Sequence, residues 1–296
     1  CLKIWKFRYK SAFGDSPIID SLIFKGAMKS EQSFHLEQFG PEENQSLLVK
    51  LLGEIRRNKH LVEQMQKTPR FERYFKEGHE NNKKNKDREE LGHAINTYSI
   101  AVEVSQLDPQ LEHTAASRMK LTTLIHDLGE LGEGDKSYDE KQVIDEIKEG
   151  DFFLRNLKSF FPSLSSTEME SLKSIYFEIA FAKDKTKGEA LYFNMIEKLG
   201  YINAALVEFE NKTETIDWQW LCANILHNQG THIARLIEEM PVAGVYLSKK
   251  KEALRRMIDW AEEHIGLVKD FNSEDLKVWR EILSKLIEVL WADQEM

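Results

Sequence analysis

The stretch Ile125-His126-Asp127-Leu128-Gly129-Glu130-Leu131-Gly132-Glu133-Gly134-Asp135 gathers residue types that bind metals and move protons. Adjacent His126 and Asp127 offer an imidazole nitrogen and a carboxylate oxygen that can share one ion. Glu130 stands at i+4 from the histidine and i+3 from the aspartate, on the same face of a helix. It is thereby set as a non-ligating carboxylate beside a bound metal, placed to relay a proton in a hydrolysis. Asp135 follows a Gly-x-Gly turn that can fold it back toward the helix end. With nine histidines in the chain, one His-Asp pair is unremarkable alone. His93, upstream in Glu89-Glu90-Leu91-Gly92-His93-Ala94-Ile95-Asn96-Thr97-Tyr98, opens an amphipathic helix and offers a second imidazole.

The elements that must hold these residues read as helices. Six prolines and fifteen glycines in 296 residues leave long stretches of helical period. Residues 43–67 place Leu47, Leu48, Leu51, Leu52, Ile55, Val62 and Met65 along one face. Further helices are expected over 89–106, 110–131, 139–159, 166–183, 187–211, 216–240, 246–268 and 273–292, with Pro109, Pro162 and Pro241 falling between them. Gly132 and Gly134 are expected to end the helix that carries the His-Asp pair. The one stretch with a hint of strand is Ile18–Phe24, and residues 76–90 are almost wholly polar and read as a linker. The expectation is an all-α protein, divided into an N-terminal extension and helix (1–68), a central helical domain (69–215) and C-terminal helices packed on it (216–296).

Composition narrows the function. A net charge of −9 argues against a duplex-DNA binder that relies on neutralising phosphates, but not against a small phosphate ester held at a metal. Two cysteines far apart, Cys1 and Cys222, encode neither a disulfide framework nor a thiolate zinc site, so a reducing cytoplasm is expected. No run approaches the roughly 18 apolar residues of a membrane span. The segment from Cys1 to Arg8 is too interrupted for a signal-peptide core, and Met28 offers a natural start.

One His, then an adjacent His-Asp pair, then a distant acidic residue, all on helices, resembles the HD-domain superfamily of metal-dependent phosphohydrolases. The continuation His126-Asp127-Leu128-Gly129-Glu130 with Gly134-Asp135 is most similar to its 5′-deoxynucleotidase branch. The resemblance covers about residues 70–211. It implies an HD-type helical bundle, a divalent metal (Mn²⁺, Co²⁺, Mg²⁺ or Zn²⁺), and a phosphomonoester of nucleotide type as substrate. It implies Glu130 as general acid/base and Asp135 as a residue acting near the leaving group. The family's last ligand is an Asp in a helix reading Leu-Val-Lys-x-Ala-Asp-Lys-Ile, and Leu191-Tyr192-Phe193-Asn194-Met195-Ile196-Glu197-Lys198-Leu199 matches it with Glu197 in the ligand position. The implied ligands are then His93, His126, Asp127 and Glu197. The extra methylene of Glu197 departs from the family and opens a second reading, a binding or regulatory protein that keeps the HD fold with a weakened metal site. An alarmone hydrolase would need Glu-Asp adjacent at this place, whereas the chain has Glu130-Leu131.

Other residues admit two readings each. Arg73 with Tyr74 matches an arginine-aromatic pair that the nucleotidase branch uses for phosphate and base, or else packs a helix; Arg88 is a substrate-binding candidate open to the same two readings. His227 and His232 lie about 140° apart on a helix, poor for a shared metal, which leaves helical or cap positions or a substrate contact. Trp218 and Trp220 cannot both be buried on one face. Trp260, Ile265, Val268, Trp279, Ile282, Leu286, Leu290 and Trp291 read as core or as the layer of a homodimer.

Overall fold

Helical periodicity with few breakers produces helices throughout. The computed structural model describes residues 42–70, 89–134, 143–210, 216–266 and 271–292, with no side-chain description at 42–43, 133, 143, 216–220 and 287–292. In order they form α1 (Glu42–Arg57), α2 (Lys59–Lys67), α3 (Glu90–Leu107), α4 (His113–Ile125), a single turn α5 (Glu130–Glu133), α6 (Val143–Phe160) and α7 (Ser166–Ile175). A π turn at Tyr176–Ala180 extends α7, and α8 (Gly188–Glu210), α9 (Ile216–Glu239), α10 (Pro241–Ser248), α11 (Lys251–Glu263) and α12 (Ser273–Ala292) complete the chain. Among the described residues there is no strand, and an isolated antiparallel bridge joins Pro69 to Glu89; no helix there is long and apolar enough to cross a membrane. The expected strand at Ile18–Phe24 and most of the polar segment 76–90 lie outside the described residues.

Three helices are apolar on two sides, which places them at the centre. On α3, Ala94, Tyr98 and Val102 pack with the N-terminal helices, while Ile100, Ala101 and Val104 pack with the C-terminal ones. α4 divides likewise, with Leu121, Leu124 and Ile125 on one side and Met119 on the other. α8 sends Phe193 to the first core and Met195, Ile196, Leu199, Ile202 and Leu206 to the second. The first core is closed by α1, α2, α6, α7 and the π turn, the second by α9 to α12. Trp279, Ile282 and Leu286 are core residues of the second cluster and Trp260 packs against it, whereas Ile265 is exposed. Val268 and the side chains of Leu290 and Trp291, like those of Trp218 and Trp220, lie outside the description.

Several boundaries differ from expectation, each for a local reason. The face expected over 43–67 belongs to two helices, because Asn58 interrupts them. Its side chain accepts from the Leu61 N–H at 3.0 Å as an N-cap, and its amide donates to the Ser159 and Phe160 carbonyls at 3.1 and 3.0 Å. The helix expected over 246–268 is also two. Pro241 begins α10 at its first position, where a missing N–H costs nothing, and the chain turns at Lys249–Lys250 before α11. The helix expected to run to 131 ends at Ile125. Beyond it Leu128 and Glu130 donate to the carbonyls of Ile125 and Asp127 (3.1 and 3.0 Å), a tighter i→i−3 winding.

Candidate metal centre

The three central helices converge where α3 begins, α4 ends and α8 passes between the cores. His93 lies in the first turn of α3, His126 caps α4, Asp127 follows it, and Glu197 sits midway along α8. Two asparagines hold α3 against α8: Asn203 donates to Asn96 Oδ1 at 2.7 Å, and Asn96 to the Gly200 carbonyl at 3.1 Å. Asn96 and Gly200 each lie three residues, nearly one turn, from His93 and Glu197, so this link sets the imidazole opposite the carboxylate.

The donor atoms are closely grouped. The Nε2 atoms of His93 and His126 are 3.1 Å apart. Asp127 Oδ2 lies 3.3 Å from the first and 3.0 Å from the second. Glu197 Oε1 lies at the same distances, 3.3 and 3.0 Å. Metal–ligand bonds of about 2.0–2.2 Å at tetrahedral or octahedral angles separate neighbouring donors by about 2.8–3.6 Å, so these spacings suit one ion. His126 Nδ1 donates to the Thr123 carbonyl at 3.1 Å, which orients the ring and turns Nε2 toward the cluster. Glu197 Oε1 is buried without a well-aligned hydrogen bond, so the anionic oxygen needs a positive charge beside it, whether the His126 imidazolium at 3.0 Å or a metal ion. His93, His126 and Asp127 thus form a group able to hold a metal ion, and Glu197 Oε1 lies 3.3 and 3.0 Å from its two imidazole nitrogens.

Electrostatics supports that fit. Burial depresses the His126 pKa, but the carboxylates of Asp127 and Glu197 overcome it and lift the value to about 10. Burial and the Arg70 charge instead lower His93. Burial would raise both acids, yet His126, joined by Arg70 at Asp127, holds them well below the ordinary carboxylate range. An imidazolium at His126 therefore supplies the positive charge that the two carboxylates require. Its folded value lies above the ordinary 6.5, so its stabilising effect is complete below that and is lost as the pH climbs through about 10. A metal must displace that proton. Mn²⁺ binding near neutral pH is expected to release about one proton and to tighten as pH rises, measurable by titration calorimetry in buffers of different ionisation enthalpy.

A second group of charges adjoins the first. The Pro69–Glu89 bridge, with Glu90 N–H donating to the Thr68 carbonyl at 3.2 Å, brings the two flanks of residues 71–88 together. It thereby sets Arg70 beside the start of α3. The buried Arg70 guanidinium pairs with Glu90 at 3.0 Å and with Asp127 Oδ2, and lies 4.0 Å from Glu130. Glu90, Asp127 and Glu130 present oxygens within 4.8 Å of one another, and Arg70 is the cation among them. Glu130 no longer continues the helix of His126 as its spacing implies, yet the tight turn keeps it, buried, beside Asp127. Two aromatic rings border the imidazoles: Phe193 lies edge-on to His126 at 5.2 Å and Tyr201 parallel to His93 at 6.4 Å.

Four expected ligands thus meet, with Glu130 beside them, whereas Asp135, Arg73 and Arg88 lie outside the described residues. His227 is engaged elsewhere, with Nδ1 2.9 Å from Asp275 on α12. Sequence reasoning missed Arg70 and Glu90. Pro69-Arg70-Phe71-Glu72-Arg73-Tyr74 contains two arginine-aromatic steps, and spacing alone does not choose between them. Compared with protein-family models, with curated proteins and with solved structures, the chain matches none.

Proposed function

We propose that this chain is a metal-dependent phosphohydrolase of the HD-domain type, cleaving a phosphomonoester of a nucleotide such as a 5′-deoxynucleoside monophosphate. The observation that carries this reading is the convergence of His93, His126, Asp127 and Glu197 at donor spacings of 3.0–3.3 Å, with a buried carboxylate and a guanidinium at its edge. A mixed set of two imidazoles and two carboxylates accepts Mn²⁺, Co²⁺, Mg²⁺ or Zn²⁺ and leaves positions open for other oxygens. When bound, such a metal supplies positive charge to the phosphoryl group and acidifies water.

The chain's own residues supply the rest. Glu130 stands beside Asp127 without belonging to the donor set, and it is the group to pass a proton to the departing alkoxide. Arg70, charged at every relevant pH, offers N–H donors whose geometry suits phosphoryl oxygens. A reducing cytoplasm accords with two cysteines, of which Cys222 is buried.

One observation favours the second reading, a binding or regulatory protein with a weakened site. The Asp127 oxygen that faces the imidazoles also pairs with Arg70, so ligation competes with an internal salt bridge. Phosphate release from nucleoside monophosphates with Mn²⁺ or Co²⁺ separates the two. The enzyme reading expects turnover that falls by about 100-fold or more in Glu130→Gln with metal content unchanged. Stoichiometric metal without turnover of any phosphoester supports the regulatory reading instead.

A further inference from the structure

Asp127 Oδ2 has two claimants. On one side it lies 3.3 and 3.0 Å from the Nε2 atoms of His93 and His126, the spacing of donors around a single ion. On the other it accepts a hydrogen bond from Arg70 Nη1. The guanidinium is buried, and the same nitrogen donates to Glu90 Oε2 at 3.0 Å and stands 4.0 Å from Glu130 Oε2. Arginine cannot give up its proton to make room. Any cation bound at this oxygen would therefore share it with a full positive charge, in surroundings that screen poorly.

The two contacts of Arg70 are anchored differently. Its partner Glu90 opens α3, and the Glu90 N–H donates to the Thr68 carbonyl at 3.2 Å. With the bridge from Pro69 to Glu89, that bond ties the backbone on both sides of the pair. The Arg70–Asp127 contact instead joins this corner to the turn after α4, across 57 positions of sequence. A guanidinium that turns away from Asp127 keeps Glu90 and stays buried with its charge met.

We propose that Arg70 regulates loading of the metal centre: its guanidinium and a divalent ion exchange on Asp127 Oδ2, so that filling the site displaces an internal cation. The inference rests on the metal-binding part of the function proposed above and not on the phosphoester chemistry. Loading then begins at a higher ion concentration than the four donors alone would set. The site is held back by Arg70 rather than by the longer side chain of Glu197. Coupling of this kind is reciprocal, so whatever loosens Arg70 from Asp127 tightens the metal.

Titration calorimetry with Mn²⁺ on the wild type, Arg70→Gln and the double variant Arg70→Gln/Glu90→Gln tests this. The single variant takes the arginine from a buried carboxylate and should lose heat stability. The double variant removes one charge of each sign, so a gain in affinity there cannot come from a change in net charge. Mn²⁺ affinity should rise about 10-fold or more in both variants. In crystals of the Mn²⁺-loaded wild type, Arg70 should keep Glu90 and no longer bond Asp127. An arginine that only braces the fold predicts equal or weaker affinity in the double variant, and that result overturns the proposal. So does a loaded crystal in which Arg70 still bonds Asp127 Oδ2. If neither the wild type nor the variants bind Mn²⁺, the metal-binding reading fails and takes the proposal with it; binding by the wild type with no gain in the variants ends the proposal alone.

Discussion

Replacing Asp127 with asparagine is expected to lower divalent-metal affinity by more than about 100-fold, beyond the loss seen when only a residue supporting a ligand is changed. Asp127 Oδ2 is the one oxygen within 3.3 Å of both imidazole nitrogens that is also bound to Arg70. The amide keeps the shape and removes the charge that lifts His126 and attracts a cation. Arg70 retains Glu90 at 3.0 Å, so the fold should survive with a loss of about 1.5–3 kcal/mol, the magnitude of a hydrogen bond to a charged group. Metal titration and thermal unfolding on the same sample separate the two effects. Near-normal metal affinity in this variant would place the ion elsewhere.

Gly129→Ala is the substitution expected to harm the fold most directly. A methyl there would sit 2.6 Å from the Glu149 carbonyl oxygen and 2.8 Å from its carbonyl carbon, and the α6 backbone has no rotamer to yield. Overpacking of this kind costs about 1–3 kcal/mol, which for a chain of this size lowers Tm by about 2–5 °C. Gly132→Ala meets the Phe152 ring at 2.2 Å, but a partly buried side chain can turn aside, so its effect should be smaller. If calorimetry finds the two equal, or Gly129→Ala neutral, then α6 does not press on the turn as described. Because the turn begins at Asp127, a candidate ligand, Gly129→Ala should weaken metal binding too, whereas a surface change on α6 such as Lys148→Ala should not.

The helical class was legible because periodicity needs only local residues. Asn58 was not legible as a break, since the apolar face continues on both sides of it and the carbonyls that hold its amide lie about 100 residues away. Of the two glycines expected to end the helix of the His-Asp pair, Gly134 closes the single turn α5 with a positive φ of 82°, whereas Gly132 lies inside that turn and the helix itself already ends at Ile125. The close approach of α6 that excludes side chains at Gly129 and Gly132 depends on a third element and leaves no trace in spacing. The same holds at the metal centre. His93, His126, Asp127 and Glu197 follow a family's order along the chain, and the helices bring them together. Arg70 enters through a bridge between Pro69 and Glu89 across 18 intervening residues outside the description, and no periodicity carries that contact.

Glu197 is the residue on which the two functional readings divide. Its oxygen stands as near both imidazoles as that of Asp127, so the longer side chain reaches the cluster. Calorimetric titration of the purified protein with Mn²⁺, beside Glu197→Gln, is therefore the most direct measurement of the metal centre. One ion per chain in the wild type, with affinity greatly reduced in the variant, is the predicted result. No binding by the wild type, or equal binding by both, would contradict it.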